Sequence, residues 1–149
     1  MTRSKRDLKA NTLYHIYNRG NNKYKVFRDS QDKKIFLEYL HTYAKAYGIK
    51  VLAHCIMNNH YHLILKTGVR PLSLSLMMQA FSTKFCIYIN KKQKRVGHVF
   101  QGRYNAKEIK TEEQLRTTIE YLMKNPVKSK LVKHPDDYKW LRIKEGSGL

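Results

Sequence analysis

The stretch His54-Cys-Ile-Met-Asn-Asn-His-Tyr-His-Leu-Ile-Leu65 constrains this chain more than any other. Residues 60 to 65 alternate and are rich in β-forming types, which predicts a strand. Asn58-Asn59 suits a turn, so residues 49 to 56 and 60 to 66 are expected to form a hairpin. Side chains two apart on a strand point to one face. His60 and His62 then share a face, with Tyr61, Leu63 and Leu65 on the other, against a core. Two imidazoles on one strand face can grip one metal ion. Two histidines that merely pack, or merely face solvent, would have the same spacing.

The partner of such a chain is indicated by its charge. There are 30 Lys+Arg against 11 Asp+Glu, a formal net charge of +19, and no acidic residue lies between Glu38 and Glu108. A chain this basic calls for a polyanion, and nucleic acid is a better candidate than a membrane surface. No apolar run approaches transmembrane length, and the basic N-terminus leads into no apolar signal region. A cytoplasmic, nucleoid-associated protein is expected. Cys55 and Cys86 are isolated in sequence and are expected to be reduced core residues. The chain has 149 residues, with 42% hydrophobic content, which suits one domain with a real core (residues 1–149). Its 11 tyrosines to one tryptophan supply rings that can stack on bases as well as pack.

Residues 1 to 11 are expected to be a basic flexible arm and residues 142 to 149 a loose tail. Leu13 to Tyr17 is the first strand, closed by the turn cluster Asn18-Arg-Gly-Asn-Asn22. Asp29 or Ser30 caps a helix to about Tyr47, where Gly48 stops it. Pro71 opens a second helix to about Asn90. The basic run Lys91, Lys92, Lys94 and Arg95 follows. The segment Gly97-His-Val-Phe-Gln-Gly-Arg-Tyr104 carries Arg103 and leads into a strand near Asn105 to Ile109. Thr111 and Gln114 form a capping box for a third helix, which Pro126 is expected to end near Asn125. Asp136-Asp-Tyr-Lys-Trp140 reads as a short packed element.

At about 100° per residue, Leu115, Ile119, Leu122 and Met123 of the third helix form one apolar stripe. Tyr121 falls off that stripe, and Asn125, four residues on, shares its face. An off-stripe tyrosine is either a working hydroxyl or an ordinary exposed one.

His60-Tyr61-His62 fits the His-hydrophobic-His pattern of the HUH endonucleases, and Cys55 to Leu65 resembles the signature of the single-tyrosine HUH transposases. Further stretches resemble the REP-associated tyrosine transposases. They are Tyr14-His-Ile-Tyr-Asn-Arg-Gly-Asn-Asn22, Gly97 to Tyr104, and Glu120-Tyr-Leu-Met-Lys-Asn-Pro-Val127 followed by Asp137-Tyr-Lys-Trp140. The resemblance spans about residues 12 to 141. Tyr61 is bulkier than the residue relatives often carry there, and Leu141-Arg142 replaces a serine-rich continuation. Neither departure removes a catalytic group.

The resemblance implies an α+β, ferredoxin-like fold, an antiparallel sheet with helices packed on one face. It implies that Tyr121 is a nucleophile, that His60 and His62 bind a divalent ion (Mg²⁺ or Mn²⁺), and that Asn125 or a group near it completes the metal site. The implied activity is metal-dependent cleavage and rejoining of single-stranded DNA, with hairpin or palindromic ends, through a 5′-phosphotyrosine, by a monomer or homodimer. Arg19, Lys91, Lys92, Lys94, Arg95 and Arg103 are the candidate DNA contacts. The rival readings are a domesticated, non-catalytic nucleic-acid-binding protein on the same fold and a two-histidine hydrolase using activated water. The hydrolase lacks a carboxylate near the histidine pair in sequence.

Overall fold

Local signals set most of the element boundaries. Asp29 accepts a hydrogen bond from the Asp32 N–H at 3.0 Å and starts α1, Ser30–Tyr47. Gly48 ends it in the left-handed region at φ 69°. Thr111 Oγ1 accepts from the Gln114 N–H at 3.1 Å and starts α3, Glu112–Lys128. The Gln114 side chain reaches back to the Lys110 N–H at 2.7 Å. The strands are β1, Leu13–Arg19; β2, Lys50–Ile56; β3, His60–Lys66; β4, Asn105–Ile109; and β5, Leu141–Ile143. The remaining helix is α2, Leu72–Gln93. This computed structural model describes residues 7–144.

The strands form one sheet in the order β4-β1-β3-β2-β5, and each neighbouring pair is antiparallel. The first four strands with α1 and α2 make the ferredoxin-like arrangement, two split β-α-β units interleaved. The chain then adds α3 and lays β5 along the edge of β2. The α+β class and the antiparallel sheet agree with the sequence expectation.

The helices do not all lie on one face. Tyr61, Leu63 and Leu65 of β3 join Phe36 and Leu40 of α1 and Phe81 and Phe85 of α2 in the larger core. Ile64 of β3 and Cys55 of β2 join Leu115 and Leu122 of α3 in a second core on the opposite face. The consecutive apolar residues Leu63, Ile64 and Leu65 of β3 place buried side chains on both sides of the strand, so both faces need a cover. Because α3 covers the face that carries His60 and His62, this departure from single-face packing is what creates the site.

Pro126 does not end α3. The helix runs through it to Lys128, and Pro126 is buried. Burial in the last turn offsets the missing N–H, and Asn125 stays helical on the face of Tyr121.

The termini also differ from expectation. Residues 1–6 of the expected arm and 145–149 of the expected tail lie outside the described residues. Lys9 and Asn11 are tied down, since the Lys9 N–H donates to Tyr14 Oη at 2.8 Å and the Asn11 N–H to the Gly68 carbonyl at 3.0 Å. Residues 142–143 belong to β5, and the Lys144 N–H donates to the Leu52 carbonyl at 2.8 Å. A three-residue strand carries too little periodicity to be seen in sequence.

By length and composition α2 could cross a membrane, its mean hydropathy reaching 1.2, contrary to the sequence expectation. Its Leu74, Met77, Met78, Phe81, Phe85 and Ile89 are nevertheless buried within the larger core.

Gly20 ends β1 where three segments converge. Its N–H donates to the Asn59 carbonyl at 2.7 Å, and it bridges to Phe100. A Cβ there would collide with the Tyr24 carbonyl. Gly20→Ala is expected to cost about 2 kcal/mol, lowering the urea midpoint with an unchanged slope. An unshifted midpoint would contradict the close packing.

Candidate active site

β3 presents His60 and His62 to α3, with ring centroids 5.2 Å apart and planes at 82°. On α3, Tyr121 lies off the buried stripe as the helical period requires, and it is 53% exposed. Its ring meets His62 edge-on at 5.1 Å. No hydrogen bond to its hydroxyl is made among the described residues. One turn on, Asn125 Oδ1 lies 3.1 Å from His60 Nε2. His60, His62, Tyr121 and Arg19 line one cavity with Tyr17, Asn18, Gln101, Arg103 and Asn105.

The histidines are held neutral. Burial pushes the His62 imidazole down to about 3, helped by the charges of His15 and His60. Burial also lowers His60, against the opposing hydrogen bond to Asn125. Neutral imidazoles keep a lone pair for a metal.

His60 meets an amide oxygen at each nitrogen, Asn59 Oδ1 at 2.7 Å from Nδ1 and Asn125 Oδ1 at 3.1 Å from Nε2. A neutral ring has one proton and can donate to only one of them. With the shorter contact taking it, a lone pair on Nε2 faces the Asn125 oxygen. A turned Asn125 amide would satisfy this contact, and so would a cation between two acceptors, since neighbouring ligands on an ion with bonds of about 2.1 Å stand about 3 Å apart. The donor set therefore fits a divalent ion. Among the described residues no cluster of three or more His, Cys, Asp or Glu side chains adds to it. Two imidazoles and an amide should bind an ion weakly unless DNA supplies further oxygens.

Of the expected DNA contacts, Arg19 and Arg103 reach this cavity, and Arg19 Nε donates to Gln101 Oε1 at 2.6 Å. Lys92 is held elsewhere, at 2.8 Å from Asp29 and 2.7 Å from the buried Asp32. Arg95 stacks on Tyr24 at 4.1 Å and donates to the His98 carbonyl. Lys91 and Lys94 are exposed at the end of α2 and do not line the cavity. A basic run in sequence does not reveal which of its members are already paired.

The family model of the IS200-like transposases matches residues 9–125. The chain belongs to this family. As an IS200-like transposase it shares its fold with solved structures. One is the REP-associated tyrosine transposase bound to a REP hairpin, with TM-score 0.78 and 15% identity over 95% of this chain and 82% of that one. Another is a protein from Deinococcus radiodurans R1 described as a transposase, with TM-score 0.55 and 18% identity over 83% of this chain and 97% of that one. No curated protein sequence matches significantly.

Sequence reasoning on this transposase missed His15, Tyr17, Gln101 and Asn105. His15 Nε2 lies 3.0 Å from His62 Nδ1, and Tyr17 pairs with His62 across the strands and stacks on it at 5.8 Å. A bond at Nδ1 orients the His62 ring and leaves Nε2 for another partner. The alternation His15, Tyr17, Arg19 was present on β1 as a signal, but its significance depends on which strand lies beside it.

Proposed function

We propose that this protein is a metal-dependent transposase that cuts and rejoins hairpin-bearing single-stranded DNA, with Tyr121 as its nucleophile. The observation that carries the reading is Tyr121, whose ring meets His62 edge-on and whose hydroxyl bonds to no described group, in a cavity that also holds His60 and two arginines. His60, His62 and Asn125 would hold Mg²⁺ or Mn²⁺. When bound, the ion polarises the scissile phosphodiester and screens its charge.

The protein's own groups do the rest. Arg19 and Arg103 counter the phosphate charge, and Gln101 holds Arg19 for it. The Tyr121 oxygen attacks phosphorus. The tyrosine gives up its proton, the bond from phosphorus to the 3′-oxygen breaks, and that oxygen leaves as a hydroxyl. The products are a 5′-phosphotyrosine and a free 3′-end. Bond energy is conserved, so another 3′-hydroxyl reverses the step and joins strands. Within one chain the Tyr121 ring already lies 5.1 Å from His62, which supports cleavage by a monomer. The hairpin held by the structural neighbour supports a folded single strand as substrate. The reaction would take place in the cytoplasm, at the nucleoid.

The reading is tested by mixing the protein with Mn²⁺ and a labelled hairpin oligonucleotide that carries flanking sequence from its own locus. A slow band on a denaturing gel that requires metal is the expected result. Binding without an adduct, across several such oligonucleotides, would replace this reading with that of a non-catalytic DNA-binding protein.

A further inference from the structure

A second cavity, of about 670 Å³, lies between α2 and the 97–104 segment. It adjoins the cavity of Tyr121, because Asn18 and Arg103 line both. Its position and its shortage of charge set it apart. In a chain with 30 Lys+Arg, Arg103 is the single Lys or Arg in its lining, and no carboxylate lines it.

The outer wall of this cavity is anchored. Gly97 and Gly102 sit in the left-handed region at φ 92° and 75°, where other residues are strained. Asn90 donates to the Gly97 carbonyl at 3.0 Å, and Asn18 to the Gly102 carbonyl at 3.1 Å. The 97–104 segment is thereby pinned near both ends, to α2 at Gly97 and to β1 at Gly102, and Tyr104 Oη lies 3.1 Å from Ser75 Oγ of α2.

The interior has two chemistries. Ile87, 64% exposed, offers the main apolar surface, with the edge of Phe100 beside it and the buried Met78 and Val99 behind. Gln79, Ser82 and Thr83 stand at i, i+3 and i+4 on α2, so they share one helix face. None of the three has a hydrogen-bond partner among the described residues. A phosphate would find one cation here, at the junction. A metal ion would find no carboxylate. A flat group with apolar faces and a polar edge matches both walls.

We propose that this cavity takes one unpaired nucleobase of the strand whose phosphodiester lies at Tyr121, its face against Ile87 and Phe100 and its edge against Gln79, Ser82 and Thr83. The inference rests on the reading of the Tyr121 cavity as a single-strand site. A backbone that passes Arg103 has its bases within a sugar's length, so base and phosphate occupy the adjoining cavities together. A paired base cannot enter, because its faces are stacked and its edge is already bonded.

The test uses binding alone, on a Tyr121→Phe background in which no strand is cut. Fluorescent hairpin oligonucleotides carry unpaired flanks from the protein's own locus, and each has one flanking base removed to leave an abasic site. One position is expected to lose roughly tenfold in affinity when its base is removed. In a protein that also carries Gln79→Ala and Thr83→Val, intact DNA binds about tenfold more weakly, and removing that base costs nothing further. Ser82→Phe, which fills the cavity, gives the same pattern by a different route.

An abasic loss that persists unchanged in these variants overturns the proposal, as does normal binding by all of them. Absence of binding to every oligonucleotide overturns it together with the DNA reading. If the coupling is found but the Tyr121 protein forms no adduct, the base pocket stands and the proposed cleavage falls.

Discussion

A Tyr121→Phe protein is expected to bind its DNA as the original does and to form no covalent adduct. The phenyl ring keeps the edge contact with His62, so the surroundings of the histidine pair are retained. The hydroxyl alone is lost, and no described group bonds to it. Its removal should change stability by less than about 0.5 kcal/mol, a shift of under about 2 °C in Tm for a chain of this size. The rate should fall by at least about 10⁴-fold, because the attacking atom itself is gone. A denaturing gel with labelled DNA measures the adduct, and a thermal melt measures the fold. A wild-type adduct yield in this variant would remove Tyr121 from the mechanism.

Replacement of the histidines is expected to separate metal binding from folding. In His60→Ala, Mn²⁺ affinity in the presence of DNA should fall by more than about 100-fold, since an inner ligand should count for more than the tenfold to hundredfold typical of groups behind the ligands. Its adduct should fall in proportion. His60 is half-buried, so the melting temperature should move little. In His62→Ala the same metal loss should come with a lower Tm. His62 is 5% exposed and bonded to His15, so its removal leaves a void and an unpaired, partly buried His15 nitrogen, worth about 1–3 kcal/mol. Titration of Mn²⁺ by its spin-resonance signal, alongside a melt, measures both quantities. Unchanged metal affinity in both variants would leave the histidines with a structural role only.

These two predictions differ in what the sequence could support. The pairing of His60 and His62 follows from the two-residue period of a strand. The position of Tyr121 off the apolar stripe, with Asn125 beside it, follows from the helical period. The caps at Asp29 and Thr111 and the stop at Gly48 are equally local, and the structure holds each as its residue type requires. The basic run after α2 was legible as composition but not as contact. Lys92 turns to Asp29 and Asp32, and Arg95 to Tyr24, residues sixty or more positions away in sequence.

The sequence by itself determined the order of the elements, their caps and the face each side chain takes on its own strand or helix. Those properties depend on neighbours within a few residues, through hydrogen bonds and periodicities of fixed length. Only the tertiary structure decided that β1 lies between β3 and β4, bringing His15 and Tyr17 to His62, and that α3 crosses the histidine face instead of joining α1 and α2. His15 and His62 are 47 residues apart, and His60 and Asn125 are 65 apart. Contacts at that range are chosen by which arrangement buries both faces of the sheet, and no short window of sequence contains that choice.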